Sequence, residues 1–156
     1  MGVSGCGKSE VGQRLAALLQ LPLIEGDSFH PPSNIEKMRN GVPLTDADRA
    51  GWLDMLAREL AQHPQGAVLT CSALKRSYRD RLRAASPGLK FVHLALPQEE
   101  AQKRVASRPG HFYPPSLVAS QFAALEDPAG EAGVVVVDAR LPLDEVAARA
   151  GAALRA

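Results

Sequence analysis

The sequence predicts an α/β fold, a parallel sheet with helices on both faces. Three observations carry that expectation. Short apolar runs alternate with stretches of helical periodicity, the runs are apolar throughout rather than at every second residue, and a glycine-rich segment leads straight into the first helix. Parallel strands covered on both faces need apolar residues at every position, which accounts for the second observation. The chain has 156 residues, the length of one domain, and is read as a single domain over 1–156. With 46% apolar and 22% charged residues it can bury a core, so disorder is excluded. Its 18 Lys and Arg against 17 Asp and Glu leave a net charge of +1, which excludes a general binder of nucleic acid or membrane surface. No apolar run approaches the roughly 18 residues of a membrane span, and the opening residues do not read as a signal peptide. Cys6 and Cys71 have neither disulfide-framework nor zinc spacing. These features together predict a cytoplasmic protein.

Along the chain, Val11, Leu15, Leu18 and Leu19 follow Gly7-Lys8-Ser9 at helical spacing and predict a helix to about residue 20. Pro22-Leu23-Ile24 reads as a short strand emptying into Glu25-Gly26-Asp27. Ser33 and Glu36 have capping-box spacing, and a longer helix fits residues 45 to about 62 with Leu53, Leu56, Ala57 and Leu60 on one face. Residues 67–71, 91–94 and 134–137 read as strands, and 78–85, 98–107, 116–125 and 143–154 as helices. Residues 108–115 mix proline, glycine, aromatics and a cation between two helices. They are either an ordinary exposed loop or part of a lid over a substrate, spanning about 104–122.

Gly2-Val3-Ser4-Gly5-Cys6-Gly7-Lys8-Ser9 matches the P-loop pattern G-x-x-x-x-G-K-[ST] in full. Glycines let several N–H groups turn inward as an anion nest at a helix N-terminus. Lys8 then reaches terminal phosphates and the Ser9 hydroxyl ligates Mg²⁺. A strand inside the sheet normally anchors such a loop, so the first strand is expected to be missing from the chain, upstream of Met1. No Asn-Lys-x-Asp motif occurs, which disfavours a GTPase. The strand at 67–71 runs into Ser72-Ala73-Leu74-Lys75 with no Asp to assist magnesium. Asp27, at the end of the preceding strand, is the expected substitute, holding the metal through water and accepting a hydroxyl proton.

Beyond the P-loop, GDSFHP at 26–31, NIEKM at 34–38, GVPLTDADR at 41–49 and WL at 52–53 resemble the gluconate kinase (gluconokinase) family. So do CSALK at 71–75, YRD at 78–80, GHF at 110–112, SQF at 120–122 and LE at 125–126. The blocks are in order and cover nearly the whole chain. The resemblance implies transfer of the ATP γ-phosphoryl group to the 6-hydroxyl of D-gluconate, with Mg²⁺ as cofactor and a homodimer as the assembly. It also implies a site in which residues 2–9 bind ATP, with Arg104 near the nucleotide. Lys8 and Mg²⁺ then serve the β and γ phosphates, Asp27 the attacking hydroxyl, and Arg108 brings charge when the lid closes. Arg49 suits the gluconate carboxylate, because a guanidinium makes a two-pronged bond that lysine cannot. His30, Lys75, Arg79 and His111 are further candidates for the sugar acid. Arg49 pairing with Asp46 or Asp48 is the structural alternative. A shikimate-kinase-like enzyme and an inactive nucleotide-binding paralogue are the rival readings. Cys6, beside Lys8 and a helix N-terminus, is a candidate for oxidative inactivation, whereas Cys71 reads as inert packing.

Overall fold

The computed structural model describes residues 1–107 and 114–155. Helix α1 (Lys8–Leu19) starts where the glycine-rich segment ends, and buries Val11, Leu15 and Ala16. Its N-cap is Gly7, with φ 93° and no side-chain cap, so the first-turn N–H groups have no capping side chain. The chain closes the helix at Gln20 and enters β1 (Leu23–Glu25), followed by a 3₁₀ turn at Gly26–Phe29. Helix α2 (Pro32–Arg39) begins one residue before the expected capping box. Pro32 occupies the first turn with its φ already set, Pro31 caps without a side-chain bond, and Ser33 falls inside the helix. The capping box belongs instead to α3 (Asp46–Ala61). There Asp48 N–H donates to Thr45 Oγ1 at 3.1 Å, and Thr45 N–H donates to Asp48 Oδ2 at 2.9 Å. The remaining elements are β2 (Val68–Thr70), α4 (Arg76–Ala85), β3 (Phe91–Ala95), α5 (Gln98–Ala106), α6 (Ser116–Ala124), β4 (Val134–Asp138) and α7 (Leu143–Arg155).

The strands pair in parallel, as expected, but in two pairs rather than one sheet. In the first, Leu23 faces Val68 and Glu25 faces Thr70; in the second, Phe91 faces Val134 and Ala95 faces Asp138. Between β2 and β3 lies a cleft of about 730 Å³ lined by both strands, α1 and α4. Met1 and Gly2 bridge one end of it. Met1 donates its amino group to the Val92 carbonyl at 2.7 Å and accepts from Leu94 N–H at 3.0 Å, while Gly2 N–H donates to the Ser72 carbonyl at 3.2 Å. Among the described residues no strand fills the rest of the cleft, so the facing edges of β2 and β3 do not join.

Helices cover both faces. On β2, Val68 packs against one apolar cluster and its neighbour Leu69 against the other; on β3, Val92 and Leu94 go one way and Phe91 the other. Successive strand side chains point to opposite faces, so the two clusters lie on opposite sides of the sheet layer. One joins Val11, Leu15, Val105, Val118 and Val146 of α1, α5, α6 and α7. The other joins Trp52, Leu53 and Leu56 of α3 to Tyr78 and Leu82 of α4. The fold is three-layered with its carboxyl strand ends converging on the N-terminus of α1.

The turn after β1 lies tight against the end of β2 at Gly26. A Cβ there would lie 2.1 Å from the Thr70 carbonyl oxygen, so any side chain pushes β1 and β2 apart. Gly26→Ala is expected to cost several kcal/mol, on the order of other severe backbone clashes. The check is a thermal melt, which should show a large drop in midpoint.

Candidate active site

The glycine-rich loop curls ahead of α1 with Gly5 and Gly7 at φ 85° and 93°, the left-handed region that turns successive N–H groups into a concave nest. Lys8 folds over this nest, its Nζ donating to the carbonyls of Gly2 and Val3 at 3.1 Å each. A cavity opens in front of it, lined by Ser4, Lys8 and Ser9 on one side and by Asp27, His30 and Arg49 on the other. The nest, the lysine and Asp27 therefore share one space. The Asp27 side chain is 72% exposed.

The carboxylate that reaches Ser9 belongs to Glu25, not Asp27. Ser9 Oγ donates to Glu25 Oε2 at 3.2 Å, and Thr70 Oγ1 donates to the same oxygen at 2.7 Å while accepting from Gly26 N–H at 3.2 Å. Thr70 ends β2, where an aspartate was missing, and the β1–β2 register supplies Glu25 directly opposite. Sequence reasoning passed over Glu25. The signal was available in Glu25-Gly26-Asp27, two carboxylates at the end of one strand with only one given a role. Ser9 and Glu25 suit magnesium, which takes one or two protein oxygens and completes its shell with water and phosphate. No cluster of three or more His, Cys, Asp or Glu able to hold a metal occurs among the described residues. Glu25→Gln is expected to raise the Mg²⁺ concentration needed for half-maximal turnover by about tenfold or more, in the range seen for loss of metal-supporting groups. A magnesium titration checks this.

On the acceptor side, Arg49 leans over the Tyr78 ring, its guanidinium carbon 5.5 Å from the centroid. Its Nη1 donates to the Leu44 carbonyl at 2.8 Å and to Tyr78 Oη at 3.3 Å. It forms no ion pair with Asp46 or Asp48, because other groups hold both. Asp46 receives Tyr78 O–H and, at 3.0 Å, Lys75 Nζ; Asp48 receives Lys37 Nζ at 2.8 Å and closes the capping box. The hydrogen bonds from Tyr78 and Lys75 hold the Asp46 carboxyl below its usual range. Lys75 is thus neutralised at the rim, outside the lining of the cavity.

Arg79 must be reassigned. Its side chain is fully buried, and every donor is used inside the protein. Nε and Nη2 bond Glu131 at 2.9 and 2.6 Å, Nη1 bonds the Ala73 and Leu74 carbonyls, and Nη2 also bonds the Glu126 carbonyl. It ties α4 to the segment before β4 and has no hydrogen left for a ligand. The two arginine partners, Arg79 first and Arg83 second, pull Glu131 down to about 2.

Arg104, on α5, donates to the Gly5 carbonyl at 3.3 Å and the Ala139 carbonyl at 3.0 Å, bracing the nest against the loop after β4. Gln121, another residue given no role from sequence, accepts from Ser4 N–H at 2.6 Å and ties α6 to the nest. Arg108 and His111 lie outside the described residues, as does the middle of the expected lid. Cys6 is 2% exposed, its sulfur packed under Gly2 and 4.0 Å from Lys8 Nζ, so the thiol has little access to an oxidant. Burial pushes the Cys71 thiol up to about 11, which keeps it protonated and inert.

The chain as a whole has counterparts among known proteins. A gluconokinase from Gluconobacter oxydans is 50% identical over 140 residues, 88% of this chain and 79% of that protein. The chain belongs to the gluconokinase family. The thermoresistant gluconokinase of Escherichia coli is 41% identical over 152 residues, 95% of this chain and 87% of its own. Among solved structures, a gluconokinase from Sinorhizobium meliloti 1021 superposes with a TM-score of 0.92 at 49% identity, covering 99% of this chain and 89% of that one. The model of the shikimate kinase family matches residues 4–121, so the chain belongs to that wider P-loop kinase family as well. Among the described residues, no helix is long and apolar enough to cross a membrane.

Proposed function

We propose that this gluconokinase-family chain transfers the γ-phosphoryl group of ATP to the 6-hydroxyl of D-gluconate, giving 6-phosphogluconate and ADP. The observation that carries the proposal is the shared cavity, with Lys8 and the nest on one wall and Asp27, His30 and Arg49 on the other. Phosphoryl transfer needs positioning and charge neutralisation more than covalent chemistry, and the residues divide accordingly. The N–H groups of Gly5, Gly7, Lys8 and Ser9 and the Lys8 side chain hold the phosphates, Lys8 swinging from its two loop carbonyls onto the terminal oxygens, while the Ser4 and Cys6 N–H groups stay with Gln121 and Val3. Ser9 and Glu25 would hold Mg²⁺, which would supply positive charge against the transferring group. Asp27 accepts the proton of the attacking hydroxyl. Arg49 keeps Nε and Nη2 without protein partners among the described residues, and takes the sugar-acid carboxylate through them. The protein works as a homodimer, and its place is the cytoplasm.

The test is ADP release with gluconate, with shikimate and with no acceptor. Gluconate-dependent release at least tenfold above the other two supports the reading. Release with shikimate alone favours the other family relationship, and release that ignores the acceptor removes the kinase reading altogether.

A further inference from the structure

His30 sits in the acceptor wall with its side chain 5% exposed, its ring stacked on Trp52 at a centroid distance of 4.2 Å and 14° between planes. Trp52 is itself fixed, because its indole N–H donates to the Gly26 carbonyl at 2.8 Å, one residue before Asp27. The ring's protonation follows from its neighbours. Asn34, 3% exposed, sets its Nδ2 at 2.9 Å from the Asp48 carbonyl and at 3.2 Å from His30 Nδ1. A carbonyl can only accept, so the nitrogen end of the Asn34 amide must face Asp48. The second hydrogen of that same nitrogen then points at His30 Nδ1, which must accept it. Turning the imidazole over would set a carbon against this hydrogen and leave it unpaired in a buried place, at a real cost. The proton of the neutral ring is therefore on Nε2. That atom is 3.9 Å from Asp27 Oδ1. Burial lowers the His30 pKa, which favours the neutral ring near pH 7.

We infer that Asn34 locks His30 as the Nε2–H tautomer, and that this N–H turns the exposed Asp27 carboxylate toward the acceptor hydroxyl. Asn34 and His30 are positioning residues acting through Asp27. An exposed carboxylate rotates freely, whereas one drawn to a donor held by a stacked ring presents its other oxygen in a constant direction. The orienting role rests on the phosphotransfer reading; the tautomer does not.

Two measurements test this. In the ¹⁵N-histidine spectrum of the whole chain, with the His30 signals identified by their loss in His30→Gln, the wild type should carry its proton on Nε2 above pH 7. Asn34→Leu should give a mixture of the two tautomers. An Nδ1–H ring in the wild type overturns the inference. In gluconate-dependent turnover, His30→Phe keeps the stacked ring and removes the donor, whereas His30→Gln keeps an N–H near the Nε2 position and removes the ring. His30→Phe should lower kcat severalfold, because the N–H dipole orients the carboxylate from 3.9 Å without a formed hydrogen bond, with the KM for ATP unchanged. His30→Gln should recover most of that loss. Equal losses in both variants, or a His30→Phe enzyme as fast as the wild type, overturn the positioning role and leave the ring as packing. A wild type with no gluconate-dependent turnover counts against the functional reading, and the spectrum alone then decides the tautomer.

Discussion

Asp27→Asn is expected to abolish almost all phosphoryl transfer while leaving the fold and the nucleotide site in place. The carboxylate is 72% exposed, and its contact with His30 Nε2 is a loose one at 3.9 Å, so little packing depends on it. Thermal stability should stay within about 0.5 kcal/mol of the parent, as for other surface changes. The amide has the same shape but cannot take a proton from the acceptor hydroxyl. Loss of a positioned general base costs about 10²- to 10⁴-fold in rate. ATP affinity should be unchanged, since Lys8 bonds the Gly2 and Val3 carbonyls and Ser9 bonds Glu25, neither of them resting on Asp27. Steady-state kinetics with an independent nucleotide-binding measurement separates the two effects. Wild-type turnover in Asp27→Asn removes the residue as base.

The second large effect is structural. Arg79→Ala leaves Glu131 buried with one arginine partner and strips hydrogen bonds from three backbone carbonyls. Breaking one side of a buried ion pair costs about 3–5 kcal/mol. In a chain of this size that lowers the melting midpoint by on the order of 10 °C. The pair also sets an acid limit on stability. The Glu131 carboxyl is held at about 2, against 4.5 for the free side chain, so its contribution is complete above pH 4.5 and fades as pH falls toward 2. Glu131→Gln should be less stable at neutral pH and should lose less stability across that window. A substrate-binding Arg79 would behave in the opposite way, with a raised KM for gluconate and an unchanged melt.

That contrast explains which parts of the molecule could be read from its residues. The nest was legible because all of it lies within eight consecutive positions, Gly2 to Ser9, and its chemistry depends on backbone angles that glycine allows. The elements were legible for the same reason, since periodicity is local. Arg79 was not. Its charge suggested a ligand, but its burial arises from a segment 52 residues away folding over it. Glu25 needed the β1–β2 register, which puts it opposite Thr70. The start of α2 was misplaced because Pro32 overrides the Ser33 box, while the box at Thr45 went unnoticed inside a correctly placed helix. The tautomer of His30 needed α2 and α3 together, since the carbonyl that orients Asn34 belongs to Asp48. Apart from those two helix starts, what stayed open is a matter of which distant backbone comes to face a side chain.

The most direct test is a crystal structure of the chain with Mg²⁺, a non-hydrolysable ATP analogue and D-gluconate bound together. The terminal phosphate should lie against Lys8, and the gluconate 6-hydroxyl should sit between it and Asp27, within about 2.6–3.2 Å of a carboxylate oxygen. Gluconate bound with its carboxylate toward the phosphate, or with Asp27 out of reach of any hydroxyl, would contradict the proposed chemistry.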